Sequence, residues 1–170
     1  DIKKQIPLGF KKHKQSQNES LMPELGKIKD SCIEKEWNNA LRSLGTLGGG
    51  NHFIEIQKGS DGYIWIMLHS GSRNLGKQVA DYYNKIAVKL NKKLGYDNLV
   101  KQELAFLEIK SEIGAKYLAE MNFCVNYALA NRKLMMERIK IAFENNINGI
   151  KWHDFINIAH NYASSEVHFG

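Results

Sequence analysis

The apolar residues of this chain change from a strand-like to a helical period after His69, and that change limits what the chain can fold into. Between His52 and His69 two short runs, "HFIEIQ" and "YIWIMLH", are rich in β-branched and aromatic residues. They are separated by "KGSDG", whose glycines and aspartate supply hairpin-turn chemistry. From Gln78 onward the spacing turns helical. Val79, Tyr82, Tyr83, Ile86 and Leu90 form one stripe, Ile113, Tyr117, Met121, Cys124, Ala128, Met135 and Ile139 form a second, and a break falls near "LGYDN". Segment 21–43 also reads as helical, as does the closing "WHDFINIAHNYASSEVHFG" through Phe155, Ile158 and Tyr162. Ile6–Phe10 reads as extended, and "KKHKQSQNES" as a loop in which His13 is solvated. Strands first and long helices later predict an α+β domain rather than a regular βαβ series.

A length of 170 residues, without internal repeat, low-complexity tract or linker, fits a single domain over 1–170. The net charge of +6 is compatible with an anionic partner but also with an ordinary soluble surface. Cys32 and Cys124 are far apart and belong to no Cys-x-x-Cys pair, so neither a disulfide framework nor a zinc ribbon is indicated, and a reducing cytoplasm is expected. Cys124 lies on the second helical stripe and reads as a small core residue. There is no signal-peptide pattern and no apolar run of membrane-spanning length, so no membrane partner is expected.

The chemistry-bearing residues gather at the ends of the hairpin. "LGTLGGGNHFIEIQ" runs three consecutive glycines into Asn51 and His52. Glycine there serves either a close approach of backbone to another group or simply the turn that starts a strand. If Gln57 faces Tyr63 or Ile64, His52 comes opposite Leu68 or His69, with Cβ atoms about 4.5–5.5 Å apart. Two imidazoles so placed can share a metal or hold neighbouring ions, or they are strand-end histidines with no ligand. "SGSRNLG" follows His69. Ser70, Ser72 and Arg73 ahead of a helix make a phosphate cradle, the competing reading being helix capping by a serine with Arg73 on the surface. His160, in "AHNY", repeats the pairing of His with Asn on a predicted helix.

"GTLGGGNHFIEI", "LHSGSRNLG", "YLAEMNFCVNYALANR" and "AHNYASSEVH", in that order, closely resemble the RtcB-type RNA ligases, and the similarity runs from Ile6 to Gly170. The resemblance implies an RtcB-like mixed fold with the hairpin at the metal site and long amphipathic helices. Such enzymes join RNA 3′-phosphate or 2′,3′-cyclic phosphate ends to 5′-hydroxyl ends, using GTP and Mn²⁺, in tRNA splicing and RNA repair; their RNA partners are tRNA halves or broken RNA ends. By resemblance, His52 binds one manganese ion while His69 and His160 bind a second. Asn51, His52, Phe53, Ile54 and Glu55, with His160 and Asn161, line the GMP/GTP site, and Arg73 holds an RNA or nucleotide phosphate. The family's Asp-x-x-Cys ligand segment would precede "IPLGF", and its guanylylated histidine would lie beyond Gly170. Cys32 and Cys124 do not stand in for the bridging cysteine, and His153 and His168 have no assigned role. The expectation is therefore an interior portion of a ligase core, without the catalytic nucleophile and unable to complete ligation alone. The alternative is a non-catalytic RNA- or nucleotide-binding remnant.

Overall fold

The computed structural model describes residues 1–26, 28 and 31–168. In chain order its elements are α1 (Ile2–Gln5), α2 (Cys32–Ser43), β1 (Phe53–Lys58), β2 (Ile64–His69), α3 (Leu75–Lys93), α4 (Asp97–Lys101) and α5 (Glu112–Glu144). β1 and β2 form an antiparallel hairpin, so the architecture is α+β, as the change of period predicts.

α5 organises the rest. Its 33 residues extend about 50 Å and carry a buried stripe through Glu120, Cys124, Tyr127, Asn131, Met135, Ile139 and Ala142 at spacings of three and four. Two cores lie along it. The first half packs Phe123, Cys124 and Tyr127 against Ile33, Leu41 and Leu44 around α2 and against Leu75, Val79 and Tyr83 of α3. The second half packs Met135 and Ile139 against Ile6 and Leu47, with Ile54, Ile66 and Leu68 of the hairpin resting on them. One face of the hairpin thus covers α5, while Phe53, Trp65 and Met67 on the other are exposed.

Two serines fix the helix starts. Ser31 Oγ accepts the Ile33 amide at 3.0 Å at the head of α2, and Ser111 Oγ accepts the Gly114 amide at 3.0 Å at the head of α5. The first of these shortens the predicted helix 21–43. Residues 22–26 and 28 are irregular and the helix begins only at Cys32; Lys27, Lys29 and Asp30 of that stretch lie outside the described residues. Of the first predicted stripe, Val79 and Tyr83 are buried, whereas Tyr82 and Leu90 are exposed and Ala87 and Asn91 turn inward instead.

Further expectations are corrected. The closing segment has no regular secondary structure from 151 to 168, apart from a bend at Asn161. Phe155, Ile158 and Tyr162 repeat at helical spacing, but no core waits for that face, and they stand 46 %, 73 % and 54 % exposed. His13 is not simply solvated. It is half-buried, with its Nε2 at 2.9 Å from Arg138 Nη1, and Arg138 also donates to the Gly45 carbonyl at 2.9 Å and to Gln17. Burial, and then the Arg138 charge, hold the His13 pKa below its usual value. The extended reading of Ile6–Phe10 holds only around Leu8, because Gly9, at a φ of 60°, and Phe10 form a turn. Leu8 forms a parallel bridge with Gly48, Gly9 donates to the Gly48 carbonyl at 2.7 Å, and Leu47 donates to the Pro7 carbonyl at 3.0 Å.

Cys124 is buried, as its place on the stripe predicts, and its thiol is pushed up to about 12, first by burial and then by the neighbouring Glu120 carboxylate and Cys32. The unfolded chain gives up this proton near pH 9, so the stability it confers is intact below that pH and is lost as pH climbs towards 12. Urea midpoints should therefore fall less in Cys124→Ala than in the parent chain between neutral pH and about pH 10. Equal falls in the two proteins would assign the alkaline loss to other groups.

Candidate metal and nucleotide site

The hairpin register decides which histidines meet. Lys58 pairs with Ile64 and Gln57 with Trp65, because Gly59 donates to the Tyr63 carbonyl at 2.8 Å and residues 59–63 are all used in the turn. Gln57 therefore does not face Tyr63 or Ile64, and His69 lies opposite Phe53 rather than His52. His52 stands one position outside β1. Even so, its ring packs edge-on to that of His69, with centroids 5.5 Å apart, and the Phe53 ring lies 5.6 Å from His69. The His160 ring is edge-on to His69 at 5.6 Å. All three predicted histidines are thus neighbours, with His69 common to both contacts. Among the described residues no group of three His, Cys, Asp or Glu side chains converges tightly enough to enclose an ion as the rings stand.

His52 has the environment of a donor. Its Nδ1 is buried and lacks a hydrogen-bond partner of good geometry. Burial lowers its pKa most; the Leu47 backbone lies near enough to oppose this, while the charges of Arg73 and His69 lower it further. The ring is held neutral, which is the form that ligates metals.

The glycines before it serve a close approach. Gly48 has φ of +98°, and a Cβ placed there would sit 2.1 Å from Arg73 Nη1 and 2.5 Å from His52 Nδ1. Only a glycine leaves room for both. Gly50, also at positive φ, faces open space and serves the turn alone.

The segment after His69 is more inward-looking than a cradle requires. Ser70 is buried and its Oγ donates to the Leu47 carbonyl at 2.7 Å. Ser72 caps α3, its Oγ accepting the Gly76 amide at 3.0 Å and its carbonyl the Leu75 amide at 3.0 Å. Arg73 is half-buried, donating from Nε to Thr46 Oγ1 at 2.8 Å and from Nη2 to the Gly9 carbonyl at 3.0 Å. Its Nη1 is the nitrogen turned towards Gly48 and His52. Arg73 and Asn74 have φ of 53° and 74°, consecutive left-handed residues of the kind that persist where surrounding contacts enforce them.

Of the predicted nucleotide-lining residues, Asn51, Phe53, Glu55, His160 and Asn161 are exposed, while Ile54 turns into the core beneath the hairpin. His153 lies elsewhere, edge-on to Tyr63 at 5.1 Å beside the turn, and His168 pairs with Glu166 at 3.0 Å.

Sequence reasoning missed the residues that assemble these pieces. Asn131, fully buried on α5, accepts the amides of Gly45 at 2.7 Å and Thr46 at 3.2 Å through Oδ1. Its Nδ2 donates to the Thr46 carbonyl at 3.3 Å, Ser70 Oγ at 3.2 Å and the Gly71 carbonyl at 3.1 Å. Arg132 binds Ser70, Asn157 and Ile158. The signal available was a polar residue on an apolar helical stripe, Asn131 between Ala128 and Met135.

Comparison with known proteins gives the family of the chain. A family profile described as tRNA-splicing ligase RtcB matches residues 2–170. The chain is 35 % identical to the RNA-splicing ligase RtcB1 of Escherichia coli, over 78 % of this chain and 34 % of that protein. It is 31 % identical to the tRNA-splicing ligase RtcB of Thermococcus kodakarensis, over 82 % of this chain and 32 % of the relative. To the tRNA-splicing ligase RtcB of Methanococcus maripaludis it is 32 % identical, over 85 % of this chain and 35 % of the relative. The chain spans about a third of the length of these curated relatives. With the profile match covering nearly every residue and the glycine loop, hairpin and histidines arranged as described, the chain belongs to the RtcB family.

Proposed function

We propose that this chain carries metal- and nucleotide-binding parts of an RtcB-like RNA ligase. Such a ligase joins RNA 3′-phosphate or 2′,3′-cyclic phosphate ends to 5′-hydroxyl ends with Mn²⁺ and GTP, in cytoplasmic tRNA splicing or RNA repair. The observation that carries this reading is the histidine cluster: His52 and His160 edge-on to His69 at 5.5 and 5.6 Å, with a buried, unpartnered Nδ1 on His52. Neutral imidazole nitrogens are common donors to divalent transition-metal ions, and a manganese ion held by these three would draw its oxygen ligands from the bound phosphates or water.

Mn²⁺, when bound, would supply Lewis-acid charge to phosphate oxygens. The protein's own residues divide the remaining work. Burial, with a smaller contribution from the Arg73 charge, holds the His52 pKa below its usual value, and Arg73 through Nη1 offers a donor to an anionic group beside Gly48. The exposed Phe53 ring beside His69 offers a surface on which a base can stack, while Asn51, Glu55 and Asn161 offer amide and carboxylate groups to a guanine nucleotide. The Ser70 hydroxyl donates within the protein, whereas Ser72 Oγ only accepts the Gly76 amide and keeps its own O–H to donate, so Ser72 and Arg73 are the phosphate contacts among the three.

Titration with Mn²⁺, read by the electron paramagnetic resonance of the free ion, tests the reading. Binding should weaken in His69→Ala by at least the ~10-fold that loss of even an outer-shell partner costs. It should also weaken as pH drops through the histidine range, because protons compete for the same nitrogens. Superimposable isotherms for the two proteins would sink the metal assignment.

A further inference from the structure

His160 lies in a segment without regular secondary structure, yet its ring meets that of His69. An irregular segment keeps such a position only if something outside it supplies the hydrogen bonds that a helix or strand would have made. One side chain does this on three sides. Arg132, on α5, donates from Nη1 to the Ser70 carbonyl at 2.9 Å, from Nη2 to the Ile158 carbonyl at 2.8 Å and from Nε to Asn157 Oδ1 at 2.8 Å. Asn157 completes the attachment by donating from Nδ2 to the Leu129 carbonyl of the same helix at 3.0 Å. Ser70 directly follows His69, and Ile158 precedes His160 by two residues. The planar guanidinium therefore bridges the residue immediately after one histidine and the residue two positions before the other.

We propose that Arg132 is the positioning residue that sets the spacing of His69 and His160, with Asn157 as its relay. The proposal rests on the reading of these histidines as a metal-binding pair for its consequence, but not for its geometry. A guanidinium offers donors in a rigid fork, and all three of its nitrogens are engaged here, so a lysine, with a single flexible point of attachment, cannot replace it. α5 is the natural base for such a fixture. Asn131, the preceding residue, ties the same helix to Gly45, Thr46, Ser70 and Gly71, so the loops before β1 and after β2 share one support with the tail.

The test begins with the metal-free chain. A nuclear Overhauser contact between the ring protons of His69 and His160 is expected in the parent protein. It should disappear in Arg132→Lys and in Asn157→Ala, while the amide spectrum of α2 and α3 stays unchanged. Asn157 lies in the tail, outside both cores, so its variant reports on the attachment even if the Arg132 variant folds poorly. Mn²⁺ titration of the same proteins should show binding weakened about tenfold in both variants, the scale of losing a partner that orients a ligand. If the parent protein binds no Mn²⁺, the metal reading fails while the ring contact still judges the positioning role. Retention of the His69–His160 contact in both variants would overturn the proposal, whatever the metal does.

Discussion

Asn131→Leu should cost about 4 kcal/mol of folding stability, a large share of the ~5–15 kcal/mol that a domain has in total. Leucine is close to asparagine in shape and suits the apolar stripe on either side, so the loss comes from hydrogen bonding rather than volume. The Gly45 and Thr46 amides would lose their acceptor, and the Thr46 and Gly71 carbonyls their donor, in a place where Asn131 itself is fully buried. Each buried group left unpaired costs about 1–3 kcal/mol, and water that enters to replace the amide recovers part of the sum. Urea unfolding with a common slope for both proteins provides the measurement. A change below about 1 kcal/mol would mean that the loops relax freely without Asn131 and that α5 is not their support. Because Asn131 also holds Ser70, this variant should lose Mn²⁺ affinity even under conditions in which it stays folded.

Gly48→Ala should disable the site more completely than any exposed substitution near it. Its left-handed backbone alone imposes about 1–2 kcal/mol on a residue with a Cβ. The new methyl would also fall 2.1 Å from Arg73 Nη1 and 2.5 Å from His52 Nδ1. Arg73 cannot swing aside without releasing Thr46 Oγ1 and the Gly9 carbonyl, so the clash is relieved either by breaking those bonds or by displacing the His52 ring. Gly50→Ala is the matched control: its φ is +73°, but nothing lies within 4 Å of the added carbon. Stability should therefore fall by about 3 kcal/mol at Gly48 and by about 1 kcal/mol at Gly50. Mn²⁺ binding should fall more than ~10-fold only at Gly48. Equal behaviour of the two variants would remove the close approach as the reason for glycine at position 48.

Much of the local structure was legible in the sequence. The hairpin between His52 and His69, the existence of α5 with Cys124, Ala128, Met135 and Ile139 on its buried side, and hence the buried position of Cys124, follow from side-chain period and turn chemistry, which act over a few residues. The glycine-rich loop, the pair of hairpin histidines and the family resemblance were equally readable, because they rest on residue types in order along the chain. The same local rules misassigned the closing stretch from Trp152, of which 169 and 170 lie outside the described residues, as a helix, since the spacing of Phe155, Ile158 and Tyr162 meets no apolar surface that would make a helical face worth forming.

What the tertiary structure decided is everything that depends on contacts between distant positions. The register at Gln57 and Trp65 moved His52 one step outside the ladder, a matter of how many residues the turn consumes. The inward course of the Ser70 hydroxyl, the engagement of Arg73 by Thr46 and Gly9, and the burial that keeps His52 neutral arise from packing against α5 and the amino-terminal segment. His160 reaches His69 from 91 residues away in an irregular tail that Arg132, Asn157 and, further upstream, Trp152 hold against the helix. Periodicity reports which face of an element is apolar. Which polar groups meet across elements is set by hydrogen-bond satisfaction in the folded chain, and a one-dimensional pattern does not contain it.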